Sequence, residues 1–148
     1  MLRFTTRSSY GVRALIGLAA AYESGEPVSL KTISKKEGIS LVFLEQIFNT
    51  FRKAGIVKST RGPRGGYVLA RDPSEMNAGD IIRVLEGDFY SGRCISGGKK
   101  GTKCGRSARC ASKEIWDELT REIERTLARF SLEYLADRAV QMDPERYG

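Results

Sequence analysis

Cys94, Cys104 and Cys110 are the only cysteines of the chain, separated by nine and five intervening residues on glycine-rich sequence able to bring three sulfurs to one point. Thiolate sulfur is a strong ligand for soft metals. The nearby Arg93, Lys103, Arg106 and Arg109 favour thiolate and offset the negative charge of a thiolate-bound cluster. The spacing is not the C-x-x-C pairing of a zinc ribbon, and three sulfurs in a chain without histidine disfavour a closed four-ligand zinc site. An iron-sulfur cluster, 2Fe-2S or 4Fe-4S, suits the set better because it tolerates a fourth, non-cysteine ligand. Free redox thiols, zinc and inert cysteines remain open on spacing alone. An odd number of cysteines in one segment points to a reducing compartment rather than to a disulfide framework.

A second constellation runs from Ser29 to Ala70, a stretch with almost no acid. Ser29 is placed to cap a helix with Leu30 and Ile33 as its apolar positions, and Gly38 stops it. Ser40 caps the next helix, whose buried stripe is Leu44, Ile47, Phe48 and Phe51; Val42, Glu45, Gln46, Asn49, Arg52 and Lys53 face elsewhere. Two helices joined through a glycine turn form a helix-turn-helix, and residues 40–46 are then those presented to base edges in a major groove. After Gly55, residues 57–60 and 67–70 read as short strands around Arg61-Gly62-Pro63-Arg64-Gly65-Gly66, a hairpin wing. Glycines permit the positive backbone angles of its turn, and the two arginines suit a narrow, electronegative minor groove.

The remaining elements must position these two sets. The net charge is +7, and residues 1–70 hold the whole excess, with 11 Lys/Arg against 4 Asp/Glu; residues 71–148 carry 14 of each. Such a basic half implies an anionic partner, and the helix-turn-helix selects double-stranded DNA over a membrane surface. The apolar run over 15–21 is too short to span a bilayer, so the expected location is cytoplasmic, with no membrane contact. A first helix, capped somewhere in 5–8, carries Val12, Leu15, Leu18, Ala19 and Tyr22 as core, while Arg3, Arg7 and Arg13 are possible phosphate contacts. A helix capped by Asn77, with Ile81, Ile82 and Leu85, is read as a connector packed on the wing. A long helix begins near Ala111, with Trp116, Leu119, Ile123, Thr126 and Phe130 at three- and four-residue steps, and Ser131 restarts another helix with Leu132, Leu135 and Ala136. The long seam is more than its own domain can bury, which makes a two-fold homodimer on a palindromic operator the economical arrangement.

The expected fold is mainly α with a small β-hairpin wing, a winged helix-turn-helix plus a long dimerisation helix. Its parts are a DNA-binding domain with connector helix (1–87), a cysteine-containing cluster loop (88–111), and a dimerisation helix with C-terminal tail (112–148). No nucleophile-base pair and no phosphate-cradling motif suggests an enzyme.

Gly38-Ile39-Ser40 with Leu44-Glu45-Gln46, Arg61-Gly62-Pro63 with Gly65-Gly66-Tyr67, and three cysteines ahead of Trp116 together resemble the IscR/NsrR/CymR family of bacterial transcription regulators, over essentially the whole chain. The resemblance implies a homodimer that represses or activates promoters, with an iron-sulfur cluster on Cys94, Cys104 and Cys110 tuning DNA affinity or site choice. It also implies Ser40 and Glu45 at base edges, Gln46, Arg52 and Arg64 near bases or phosphates, and Arg61 and Pro63 in the minor groove. A carboxylate such as Glu45 repels phosphate and accepts only from donors such as the cytosine amino group, so it discriminates between operators. The chain also departs from its look-alikes. IscR-like members carry a histidine ligand three residues after the last cysteine, where Lys113 stands here, and NsrR-like members use an aspartate from the first helix of the partner subunit, where Ser8 and Ser9 stand in this sequence. The fourth ligand is left among Ser8, Ser9, Asp88, Glu114 and a small exogenous thiol. CymR-like members lack the cysteine set and answer to a partner enzyme. The alternatives are therefore a cluster-free regulator under thiol-redox or partner control and, from another class, an iron-sulfur carrier that has kept a DNA-binding fold.

Overall fold

The computed structural model describes residues 4–89, 105 and 109–148. Its core begins with α1 (Thr6–Ala20), which buries Ser8, Gly11, Ala14, Leu15, Leu18 and Ala19. The buried arc is thus richer in small residues than the apolar spacing predicts. Val12 is only half-buried, and Tyr22 lies past the helix in a 3-10 turn (Tyr22–Ser24), exposed. Small residues are needed because neighbouring elements come close: a Cβ on Gly11 would stand 2.5 Å from Leu85 and 3.1 Å from Phe51.

Across α1 lie α2 (Leu30–Glu37) and α3 (Leu41–Lys53). Ser29 accepts from the Thr32 N–H at 3.2 Å and Ser40 from the Phe43 N–H at 3.3 Å, so both expected caps form. Between them Gly38 takes the left-handed conformation, φ 65°, and its N–H returns to the Ser34 carbonyl. Leu44, Ile47, Phe48 and Phe51 are fully buried, each worth about 1.5–3 kcal/mol of burial.

The wing follows as β1 (Val57–Thr60) and β2 (Gly66–Leu69), antiparallel, with Val57 opposite Leu69 and Thr60 opposite Gly66. Residue 28 adds a bridge to the outer edge: Val28 and Tyr67 exchange backbone hydrogen bonds of 2.9 and 2.8 Å. That close approach accounts for Gly66, where a Cβ would overlap the Val28 carbonyl oxygen. The Tyr67 ring packs edge-on to Phe48 at 4.9 Å and ties the wing to α3.

A 3-10 turn (Pro73–Glu75) leads to α4 (Ala78–Glu86), opened by a capping box between Asn77 and Asp80. It is not a connector on the wing; it packs chiefly on α1 and α5, because Ile81 and Ile82 face the core. Then come α5 (Lys113–Ala128), α6 (Leu132–Met142), capped by Ser131, and the short α7 (Pro144–Tyr147). Leu132 and Ala136 of α6 bury themselves in the α1 core. Arg83 holds α4 to its neighbours, pairing with Asp80 (3.6 Å), Asp88 (3.6 Å) and Glu124 of α5 (3.5 Å). No helix among the described residues is long and apolar enough to cross a membrane.

At the far end of α4, Glu86 accepts hydrogen bonds from Thr5 and, at 2.6 Å, from Ser8. Burial pushes its carboxyl up, but these bonds and the Arg7 charge outweigh burial and hold it below its ordinary 4.5. A depressed carboxylate stabilises the fold fully above its unfolded pKa and loses that contribution as pH falls through the folded value. The gap in Tm between wild type and Glu86→Gln, read by scanning calorimetry, should therefore be widest at neutral pH and close as pH falls below 4.5. A gap independent of pH would refute the depression.

Candidate nucleic-acid interface

Because one face of α3 is committed to the core, its other face carries Val42, Glu45, Gln46, Asn49, Arg52 and Lys53 to the surface. Ser40 is exposed at the N-cap; its oxygen accepts from Phe43, which leaves its hydroxyl proton free to donate. Glu45 and Gln46 stand one turn further on. Arg52 does not join this group: it lies about 18 Å along the helix from Ser40 and donates to Asn49 Oδ1 at 3.1 Å. Arg61, Pro63 and Arg64 are exposed at the wing tip, where Gly62 supplies the positive φ of 110° and the Gly65 N–H returns to the Gly62 carbonyl at 2.8 Å.

The face is wider than the motif residues. Lys31 and Lys35 of α2 line a groove with Thr32, Ser34 and Leu41, at the start of α3. Lys36, Thr32 and Ser29 line another with Pro63, Arg64 and Gly65, so the outer side of α2 runs into the wing tip. Positive side chains beside a reading helix serve phosphates, which set position without reading sequence. The sequence signal was the lysine run over 31–36, unbroken by acid. Glu37, which ends it, is 5% exposed and turned inward. Its carboxylate accepts from Arg13 Nε at 3.3 Å and Tyr147 at 2.5 Å, and Arg13 also donates to the Glu37 carbonyl at 2.6 Å. Glu45 is then the sole exposed acid across residues 29–70.

Two of the arginines read as possible phosphate contacts also bond within the chain. Arg13 serves Glu37, and Arg7 donates to Thr50 Oγ1 of α3 at 2.8 Å. Arg3 lies outside the described residues.

Of the cysteine set, Cys94 and Cys104 lie outside the described residues. Cys110 is half-buried just before α5, its Sγ 2.9 Å from Ser112 Oγ. That hydrogen bond, followed by the backbone N–H groups of Ser112 and Lys113, holds the thiol below its ordinary 9.0, the direction a metal-ligating thiolate needs. Ser112 thereby gives up its role as a side-chain cap of α5. Among the described residues no group of three His, Cys, Asp or Glu side chains converges as a metal site. Ser8 is buried and bonded to Glu86, Lys113 is paired with Asp117 at 2.9 Å, and Asp88 is paired with Arg83, while Ser9 and Glu114 are exposed.

The chain is similar to known proteins along most of its length. A family model described as "Rrf2: Iron-dependent Transcriptional regulator" matches residues 4–138. The HTH-type transcriptional regulator IscR of Photorhabdus laumondii is 37% identical over 142 residues, covering 96% of this chain and 84% of its own. The IscR of Serratia proteamaculans is 38% identical over 136 residues, covering 92% and 80%. The solved structure of T. potens IscR matches with a TM-score of 0.72 at 37% identity, over 93% of this chain and 88% of that one. CymR, the global cysteine regulator of B. subtilis, matches at 0.75 and 36%, over 93% and 98%.

If the wing tip touches DNA, Arg61→Ala should weaken duplex binding. A phosphate contact would lower the slope of log K against log salt by about one; a minor-groove contact would relax preference at one AT-rich position. Fluorescence-anisotropy titrations over a salt series read both, and no change in either removes the wing from the interface.

Proposed function

Since the chain belongs to the Rrf2 family of iron-dependent transcriptional regulators, we propose that it is a homodimer whose operator binding is controlled by an iron-sulfur cluster on Cys94, Cys104 and Cys110. The family makes it a DNA-binding regulator; its relatives are transcription factors, not enzymes. One observation carries the DNA-reading part: a continuous exposed surface of α2, the first turns of α3 and the wing tip, basic except for Glu45. On that surface Lys31, Lys35, Lys36 and Arg64 position the backbone, Ser40, Glu45 and Gln46 face base edges, and Arg61 and Pro63 enter the minor groove; Arg52, in the last turn of α3, lies apart from it, toward phosphate. Glu45 penalises an operator that offers it no donor and so contributes discrimination rather than affinity.

Dimerisation is supported by α5, in which Thr120 alone is buried. The side toward α4 is accounted for by Thr120, Glu124 and Leu127. The predicted seam divides: Trp116 and Ile123 are half-buried, whereas Leu119 and Phe130 stay exposed at 42% and 37%, joined by Ile115 at 61%. Ile115 and Leu119 on α5, with Phe130 two residues past its end, call for a covering surface, and a two-fold mate on a palindromic operator provides one.

For the cluster, the residues present fit as donors: three cysteines with basic neighbours, and a Cys110 thiol already favoured toward thiolate by Ser112. A bound cluster supplies an oxidant-labile centre whose charge and occupancy change with conditions. The Cys110 thiol equally favours a second reading, in which the thiols sense oxidants without iron in a reducing cytoplasm.

Anaerobically purified protein should absorb in the visible, with matching iron and sulfide, and Cys104→Ala should lose the chromophore while remaining dimeric. Equal operator affinity of holo and apo protein at matched salt would remove the cluster from control, and colourless protein that cannot be reconstituted would favour the thiol reading. Leu119→Asp should shift the sedimentation-equilibrium mass from dimer to monomer with the chromophore retained; an unchanged dimer would place the interface elsewhere.

A further inference from the structure

We infer that Val42 is a sequence-reading side chain, taking the C5-methyl group of a thymine in the major groove. Across residues 29–70 it is the sole large hydrophobic side chain that is exposed, at 64%. It sits in the first turn of α3, two residues past the N-cap, and shares its face with Glu45, Gln46 and Asn49 at steps of three, four and seven residues. The core does not use it, since the buried stripe runs through Leu44, Ile47, Phe48 and Phe51. Local helix stability gains nothing from it either, because valine is a poorer helix former than alanine.

An apolar group on a face of hydrogen-bonding side chains has one counterpart in the major groove. Thymine alone among the four bases presents a methyl group there, and apolar side chains recognise it by contact. Valine is suited to such a contact because its β-branch leaves one strongly preferred χ1 rotamer in a helix, so both methyl groups are held in a set direction before binding. The neighbouring Glu45 accepts from the amino group of cytosine, so the two residues together discriminate among pyrimidines by different chemistry. The inference rests on α3 being the reading helix, as proposed above.

The test uses the full-length protein and an operator obtained from it by in vitro selection. Each thymine of the selected duplex is replaced singly by deoxyuridine, which removes only the methyl group, and Kd is measured at fixed salt. At one thymine per half-site wild type should lose about fourfold, the worth of one buried methyl group. Val42→Ala, which loses both γ-methyl groups, should lose most of the difference between the thymine and uracil duplexes, and Val42→Thr, which keeps one of them, should fall between. Far-UV circular dichroism checks that the variants fold. Wild type indifferent to every methyl group, or Val42→Ala as sensitive as wild type, overturns the inference. Glu45→Ala and Gln46→Ala separate the two levels: if they alter the selected consensus while the methyl group has no effect, Val42 alone is misassigned. If neither substitution alters the consensus or affinity, α3 is not the reading helix and both readings fall together.

Discussion

Four side chains on one face of α3, Leu44, Ile47, Phe48 and Phe51, have no solvent exposure, and the direction of every polar residue on that helix follows from their burial. A helix turns 100° per residue, so placing these four inward leaves Val42, Glu45, Gln46 and Asn49 outward. Phe48 also receives the Tyr67 ring, and Phe51 limits how close α1 can come through Gly11. Wing, α3 and α1 are therefore seated on one aromatic cluster, and a volume change there would be felt by all three.

What was legible in the sequence is what local chemistry decides. Ser29, Gly38, Ser40 and Ser131 each carry a capping or turn signal that acts within five residues, and the helices begin or end there. The hairpin was readable to within one residue because a change of period and a glycine-rich tip bracket it. The misses depend on contacts between distant parts of the chain. Glu37, for which the sequence offers no local signal, is buried by Arg13, 24 residues before it, and Tyr147, 110 residues after it. A carboxylate at a helix C-terminus opposes the helix dipole, so its burial depends on those two partners, which no local pattern reveals. Arg7 and Arg13, read as possible phosphate contacts, also bond partners distant in the chain, Thr50 and Glu37. Asn77, Ile81 and Ile82 announce α4 but not that its neighbours are α1 and α5.

The C-terminal helices show the same division. Three- and four-residue spacing identified α5 as amphipathic, but one stripe can serve either an internal neighbour or another molecule. Glu124 and Leu127, outside the predicted seam, turn to α4, while Leu119 of the seam and Ile115 remain exposed. The small buried share of α5 contrasts with α6, where Leu132 and Ala136 close the α1 core.

A contiguous chain of contacts runs from the entrance of the cysteine segment to α3. Phe89, at the entrance to that segment, is buried under the Arg83 guanidinium at 5.4 Å, and Arg83 also clasps Asp88 and Glu124. Three residues on, Glu86 takes the hydroxyl of Ser8; beside Ser8, Arg7 donates to Thr50, whose own hydroxyl donates to the Gln46 carbonyl at 3.2 Å. Ionic and hydrogen-bonded contacts thus join the segment's entrance to Gln46 on the exposed side of α3. Contiguity supplies a mechanical connection, and coupling additionally requires a link with two arrangements of similar free energy. Of these links, the Glu86 carboxylate is the one held by two side-chain hydroxyl donors, from Thr5 and Ser8, and each of these can rotate away at the cost of a single hydrogen bond.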